Sequence, residues 1–308
     1  IIDTELFKVL RKKWGKNINC ILSEKLIPIS GDISDVNLGI TDKELINEIC
    51  GEIDFIINSA ATTRFDERYD VSMDINAFGP LNVLNFAKRC SKLKLLLHVS
   101  TAYVHGSRLG VLEEEAIEMG KTLEGAKASC LDIEGEMKLI EEAKKQLHDV
   151  NQNEFTSTLR DLGIQRANFH GWPNTYSYTK AIGEMNLGYF NNSNIHVIII
   201  RPSVISSTHK DPFPGWIEGL KTIDTIIVPY AKRKLNFFVC DPNVTLDVIP
   251  GDMVVNSMLA AIAADAQNEC NKLSIYNVDL MMPTLKIYEM QRQQAMEMQR
   301  CLILIQNP

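Results

Sequence analysis

Residues 53–101, IDFIINSAATTRFDERYDVSMDINAFGPLNVLNFAKRCSKLKLLLHVST, decide the fold. They open on IDFIIN (53–58), a run of apolar side chains without alternation, which predicts a strand buried on both faces. DINAFGPLNVLNFAKRC (74–90) then spaces its apolar groups as a helix does, and LKLLLHVS (93–100) is a second unbroken apolar run. Strand, helix and strand in that order predict a crossover between parallel strands.

Downstream the pattern repeats, with YSYTKAIGEMNLGYF (176–190) as a helix and HVIIIRPSVI (196–205) as a third buried strand. Upstream, DTELFKVLRKKW (3–14) reads as a helix behind an Asp cap, ended by Gly15. LIPIS (26–30) reads as a short strand before GDISD (31–35), and TDKELINEIC (41–50) as a capped helix stopped by Gly51. Residues 110–170 are acidic and helical in period, with EGEMKLIEEAKKQL (134–147) the clearest helix. Past residue 210 come Pro-rich loops, a helix in DVIPGDMVVNSMLAAIAA (247–264) and a strand in SIYNV (274–278).

Buried strands alternating with helices predict an α/β fold with a doubly wound parallel sheet of the Rossmann kind. Ligands bind such sheets beyond the carboxyl ends of the strands, where NSAATT (58–63), VSTAYV (99–104) and RPSVIS (201–206) lie. The expected division is a nucleotide-binding domain over 1–208 with a helical insertion at 110–170, and a substrate-covering lobe over 209–280. The Gln- and Met-rich stretch EMQRQQAMEMQR (289–300) and the apolar CLILIQNP (301–308) make 281–308 an atypical tail.

Composition narrows the chemistry. The 308 residues are 45% apolar and 23% charged, which suits a globular core and excludes disorder. Net charge is −7, from 32 basic against 39 acidic residues, without a long basic stretch, so nucleic acid is not an expected partner. No apolar run reaches the ~20 residues of a spanning helix. The seven cysteines are scattered with no CxxC, and the six histidines offer no HxxxH, so no metal is expected and a reducing compartment is.

Tyr176 and Lys180 stand four apart at the start of a predicted helix, on one face and about 6 Å apart along its axis. A phenol with a pKa of about 10 is a poor acid at neutral pH, and a neighbouring ammonium would lower that value. By itself the pair is common. At the end of the second strand, Ser100 and Thr101 offer hydroxyls that could steady an oxyanion. Asn76 places a polar amide in an otherwise apolar helix. A serine hydrolase is disfavoured, because His98, Ser100 and His105 lack a GxSxG elbow.

Taken in order, GDI (31–33), NSAA (58–61), DINAFG (74–79), VSTAYVHG (99–106), Tyr176-x-x-x-Lys180 and RPSVI (201–205) resemble an extended short-chain dehydrogenase/reductase. Within that superfamily GWPNTYSYTKAIGE (171–184), PFPGWIEGL (212–220) and DVIPGDMVVNS (247–257) look like the alcohol-forming fatty acyl-CoA reductases of the male-sterility type, plant branch. The resemblance covers about residues 1–280.

It implies that Thr101, Tyr176 and Lys180 are catalytic, with Tyr176 the proton donor and Lys180 tuning it and holding the nicotinamide ribose. It further implies that Asp32 and Ile33 face the adenine and that Ser59, Ala60 and Ser100 lie against the cofactor. Asn76 would support the proton relay, and Pro202, Ser203 and Val204 would border the carboxamide. The implied cofactor is NADPH and the implied substrate a long-chain acyl-CoA, reduced through a bound aldehyde to a primary alcohol with release of CoA. Work at a membrane surface, at the cytosolic face of the endoplasmic reticulum or in plastids, is implied as well; with no spanning run in the sequence, any tether is expected to be peripheral or to lie in termini outside it.

Two departures shape the expectations. The family's GxxGxxG is absent, and the first two strands are expected to precede Ile1. LIPIS would then be strand three and IDFIIN strand four, leaving an unpaired apolar edge and a dinucleotide site without its glycine loop. The family's C-terminal helical domain is not seen past residue 280. The competing readings are another extended reductase, acting on a sugar nucleotide or small ketone, and an inactive truncated product.

Overall fold

The computed structural model describes residues 3–108, 110–191, 195–237, 246–266 and 273–279. The atypical tail at 281–308 lies outside the described residues. In chain order the helices are α1 (Lys8–Trp14), α2 (Ile18–Lys25), α3 (Lys43–Glu52), α4 (Tyr69–Ser72), α5 (Gly79–Ala87), α6 (Ile133–Gln146), α7 (Gln152–Phe169), α8 (Thr175–Phe190), α9 (Asp224–Ala231) and α10 (Gly251–Asp265). The strands are β1 (Phe55–Asn58), β2 (Leu95–Val99), β3 (His196–Pro202), β4 (Val204–Ser206), β5 (Val248–Pro250) and β6 (Leu273–Val278).

The residues fall into two compact units. The larger holds Ile29–Arg201 and Ala261–Asn277; the other holds Ile1–Pro28, Pro202–Ala260 and the segment from Val278. In this division residues 261–277 go with the larger unit and 1–28 with the other.

The larger unit is built on a sheet in the order β1-β2-β3-β6. β1 pairs in parallel with β2, setting Asn58 opposite His98, and β2 pairs in parallel with β3. Leu95, Leu96, Leu97, Val197, Ile198, Ile199 and Ile200 are all buried, as unbroken apolar runs require of central parallel strands. β1 departs from that expectation. It lies at the sheet edge, with Phe55 40% and Ile57 47% exposed.

LIPIS is not a strand. It runs extended with no ladder partner among the described residues, and Leu26, Ile27 and Ile29 are exposed. Strand status needs a hydrogen-bonded neighbour, which apolar character alone does not supply. At the helix ends, Asp42 caps α3 by accepting from Glu44 N and Leu45 N, and the helix passes Gly51 to end at Glu52. The first helical turn starts after Thr4 without a side-chain cap, not behind Asp3.

α8 is buried along nearly its whole length from Thr175 to Leu187. On one flank Tyr178, Ala181, Ile182 and Met185 pack with Tyr69, Met73 and Ala77, and with Ile140 and Ala167 of the helical insertion. Leu187 joins Val83, Leu84, Leu96, Val197 and Ile199 over the sheet. The helix read at 74–90 is broken by a π segment at Met73–Phe78, between α4 and α5. There α8 approaches so closely that a Cβ on Gly183 would lie 2.3 Å from Asn76 O.

Gly183→Ala must therefore push backbone apart. The expected cost is about 1–3 kcal/mol, as for overpacking elsewhere, read as a lowered denaturant midpoint.

In the second unit β4 and β5 form a two-stranded parallel sheet. Asp252 accepts from the backbone N–H groups of His209, Lys210 and Asp211, at 2.8, 2.8 and 3.0 Å, and fixes the loop that follows β4.

Candidate active site

The site assembles where β2 ends. Thr101 follows the strand in extended conformation and caps the short 3-10 turn Ala102–His105, its hydroxyl accepting from Tyr103 N at 3.3 Å. Asn174 caps α8 by accepting from Ser177 N at 2.9 Å, which starts the helix just before Tyr176. The Tyr176 phenol is half-buried, and its ring lies 5.9 Å from that of Phe65. Burial raises its pKa above the ordinary value, while a hydrogen bond with the Thr101 hydroxyl works in the opposite direction. The lowering influence is thus Thr101, where the spacing had pointed to Lys180.

Lys180 is 1% exposed. Its Nζ donates to Val99 O at 2.7 Å and lies 3.1 Å from His98 Nε2. Burial brings it down to about 8 against the opposing pull of Glu184. Between that value and the ~10.4 of a free lysine, the folded chain binds fewer protons than the unfolded one. Stability should therefore rise with pH across that window. Lys180→Met should lack the rise, as measured by denaturant unfolding at pH values on either side of it.

Asn76 is buried in the π segment, a kind of helix distortion that recurs at functional sites. Its Oδ1 accepts from Thr62 N at 3.1 Å, and its Nδ2 donates to Thr62 O at 3.0 Å and to Thr179 Oγ1 at 3.2 Å. That ties the β1 turn to the helix carrying Tyr176 and Lys180. Asn186 Nδ2 meets Ala77 O, a carbonyl of the same π segment, at 2.8 Å.

A nicotinamide dinucleotide fits what is present here. Ser100 Oγ is buried without a partner among the described residues, so a ligand could satisfy it, and Ser59 and Ala60 are exposed small residues at the end of β1.

Other expected positions are arranged differently. The Asp32 carboxylate turns onto its own loop, accepting from Ser34 N at 2.9 Å and from Ser34 Oγ at 2.6 Å. Ile33 packs against Gly79, and Asn82 Nδ2 clamps the Ile33 carbonyl at 3.0 Å. Pro202 ends β3. Ser203 N donates to Val278 O at 3.0 Å, and its hydroxyl is buried without a partner among the described residues. Val204 begins β4. These three belong to the second unit.

Sequence reasoning gave no role to Asn58 and His98, whose side chains meet beneath Lys180. The signal was available: each is a polar residue near the end of an otherwise apolar strand.

Beside the site the insertion closes a cavity of about 740 Å³ lined by Val104, His105, Arg108, Lys121 and Trp172, among others. The insertion is held by a buried ionic cluster. Glu136 of α6 pairs with Arg166, accepts from Tyr69 Oη at 2.7 Å and lies 3.0 Å from His170 Nε2. Burial would raise the Glu136 carboxyl, but hydrogen bonds from His170, Arg166 and Tyr69 hold it at about 2.

Comparison with known proteins agrees with this architecture. The family described as male sterility protein, an NAD-binding group, matches residues 1–258. Fatty acyl-CoA reductase 1 of Arabidopsis thaliana is 50% identical over 279 residues, covering 90% of this chain and 56% of that protein. The alcohol-forming fatty acyl-CoA reductase of Simmondsia chinensis is 44% identical over 280 residues, with the same two shares, 90% and 56%. Fatty acyl-CoA reductase 2, chloroplastic, of Arabidopsis thaliana is 48% identical over 269 residues, covering 85% of this chain and 43% of that protein. The chain thus spans about half the length of these relatives.

Among solved structures, the terminal R domain of the myxalamid biosynthetic pathway superposes with a TM-score of 0.58 at 18% identity, covering 89% of this chain and 56% of that one. That likeness bears on the fold, which is of the Rossmann type. With the family matched across most of its length, the chain belongs to the male sterility protein family of NAD-binding proteins.

Proposed function

We propose that this chain carries the reductase site of an alcohol-forming fatty acyl-CoA reductase using NADPH. The observation that carries the reading is the Tyr176 phenol set beside the Thr101 hydroxyl at the end of β2, with buried Lys180 one turn further along α8. The names of the plant relatives support the substrate class, and the preference for NADPH rests on the resemblance to that family.

In this reading the thioester carbonyl oxygen takes hydrogen bonds from Tyr176 and Thr101. A bound nicotinamide supplies hydride to the carbonyl carbon. Tyr176, kept protonated by burial, gives its proton to the oxygen as charge develops there. The resulting thiohemiacetal expels the CoA thiol and leaves an aldehyde. The phenol, reprotonated from solvent, and the Thr101 hydroxyl hold that aldehyde for reduction to the primary alcohol, for which a second reduced nicotinamide would supply the hydride. Asn76 keeps α8 registered against the β1 turn while this happens. The cavity beside Val104 and Trp172 gives the substrate a way in.

Action on an insoluble chain places the protein at a membrane surface, on the endoplasmic reticulum or in plastids, where one relative is named as chloroplastic. Among the described residues no helix is long and apolar enough to cross a membrane. The test is NADPH oxidation with palmitoyl-CoA, with released thiol and hexadecanol measured in parallel. Oxidation without thiol release would sink the acyl-CoA reading in favour of a ketone or sugar-nucleotide substrate.

A further inference from the structure

His98 is a wholly buried imidazole to which the chemistry above gives no task. It lies opposite Asn58 in the register of β1 with β2. Its Nδ1 is 3.0 Å from Asn58 Nδ2, and its Nε2 is 3.1 Å from Lys180 Nζ. Asn58 Oδ1 in turn accepts from Ala60 N at 3.3 Å. Three side chains thus run in line from the Ser59–Ala60 turn to Lys180.

A neutral imidazole has one N–H and one lone pair. With Asn58 Nδ2 facing the ring, Nδ1 must accept, and Nε2 carries the proton. That proton can be received only by a neutral amine. An ammonium can only donate, so it requires the other tautomer, with Nδ1–H facing Asn58 Oδ1. Turning the amide to allow this takes Oδ1 away from Ala60 N–H.

We propose that Asn58, His98 and Lys180 form a relay in which the charge on Lys180 selects the His98 tautomer, and with it whether Asn58 holds the Ala60 N–H or releases it. His98 is then a positioning residue, and Lys180 is coupled to the β1 turn. When Lys180 loses its charge, its proton passes to Nε2, Nδ1 gives up its own, and one proton leaves to solvent.

Burial keeps the ring neutral, far below its ordinary value, and Lys180 titrates at about 8. Among the described residues, Glu184 is the other titratable group that acts on Lys180. Glu184 of α8 favours the ammonium but is engaged by buried Arg201 of β3, at 3.1 Å to Nε. Tyr176, one turn earlier on α8, is held protonated. The polar groups contributed by the π segment and its neighbour on α8, Asn76 and Thr179, are uncharged.

The inference uses Lys180 as the site residue of the proposed function, but its test involves no turnover, so either can fail alone. The 308-residue chain, carrying ¹⁵N-histidine and ¹³Cε-lysine, is titrated by NMR from about pH 6 to about pH 10, a range spanning the perturbed lysine. Lys180→Arg and His98→Gln assign the signals. The His98 ring is expected to change from Nδ1–H to Nε2–H with the same midpoint as Lys180. In Asn58→Asp the carboxylate can only accept, which locks Nδ1–H. The tautomer change should vanish, and the Lys180 midpoint should rise at least one pH unit, tenfold in proton affinity. A single tautomer throughout the lysine titration of the wild type would overturn the relay, and so would an unchanged midpoint in a folded Asn58→Asp. If that variant does not fold, the wild-type tautomer decides alone.

Discussion

On the proposed function, Tyr176→Phe is expected to lower turnover of long-chain acyl-CoA by about 10²–10⁴-fold, the usual contribution of a positioned general acid. The substitution deletes one oxygen. Ring contact with Phe65, at 5.9 Å between centroids, is kept, so the denaturant midpoint should stay near that of the wild type. The loss should fall on kcat more than on KM, because the phenol's proton is needed most when charge gathers on the carbonyl oxygen. Since burial raises the phenol pKa, the acid form persists through neutral pH. The variant should therefore be impaired at every pH where the wild type works, and an added aldehyde should be reduced as poorly as the thioester. The comparison is steady-state kinetics of both substrates with wild type and variant side by side. Equal rates would remove Tyr176 from the reaction.

The parts of this fold that could be read beforehand are those whose local sequence carries its own burial. β2 and β3 are continuous apolar runs because both faces of a central parallel strand are covered. α8 declares itself by its helical run over 176–190, while its start at Thr175 behind the Asn174 cap came from the structure. LIPIS failed for the complementary reason: Leu26, Ile27 and Ile29 have the right chemistry, but only pairing makes a strand. The edge position of β1 was foreseen only through the resemblance, which assigned its neighbours to strands outside the sequence. Its composition pointed the other way, to burial on both faces. The π segment was invisible. It is stabilised by Thr62, in the turn after β1, and by Thr179, Asn186 and the absence of a Cβ at Gly183, which are far away in sequence on α8. Tyr176, Thr101 and Lys180 were singled out by motif order, and the fold sets Tyr176 beside Thr101 with Lys180 one turn along α8. The direction of the Tyr176 pKa was not legible, because spacing reveals a nearby charge and says nothing about burial or about where Lys180 Nζ is already bonded.

The second large effect concerns the insertion. Glu136→Ala is expected to lower unfolding free energy by about 3–5 kcal/mol, the range for removing one partner of a buried ion pair. Glu136 is 3% exposed, and its removal takes a partner from three groups at once: the Arg166 guanidinium, Tyr69 Oη and His170 Nε2, of which Arg166 and His170 keep their contact with each other at 3.2 Å. These come from α4, from α7 and from the residue just after α7. The damage should therefore spread to Tyr178, which stacks on His170 at 5.4 Å and lies two residues from Tyr176. Glu136→Gln keeps the volume and some of the hydrogen bonds, so it should cost less.

The pH dependence separates charge from packing. A carboxyl held at about 2 when folded, against about 4.3 when free, binds fewer protons in the folded state between those values. Its stabilisation, of order 3 kcal/mol, is complete above the free value and is lost as pH falls through the folded one. Wild type should thus lose stability toward acid more steeply than Glu136→Gln over that window, and guanidinium unfolding of both at neutral pH and near pH 3 measures the difference. Parallel slopes would mean that the cluster holds the insertion by shape, and that the charge on Glu136 contributes nothing to the scaffold around Tyr176.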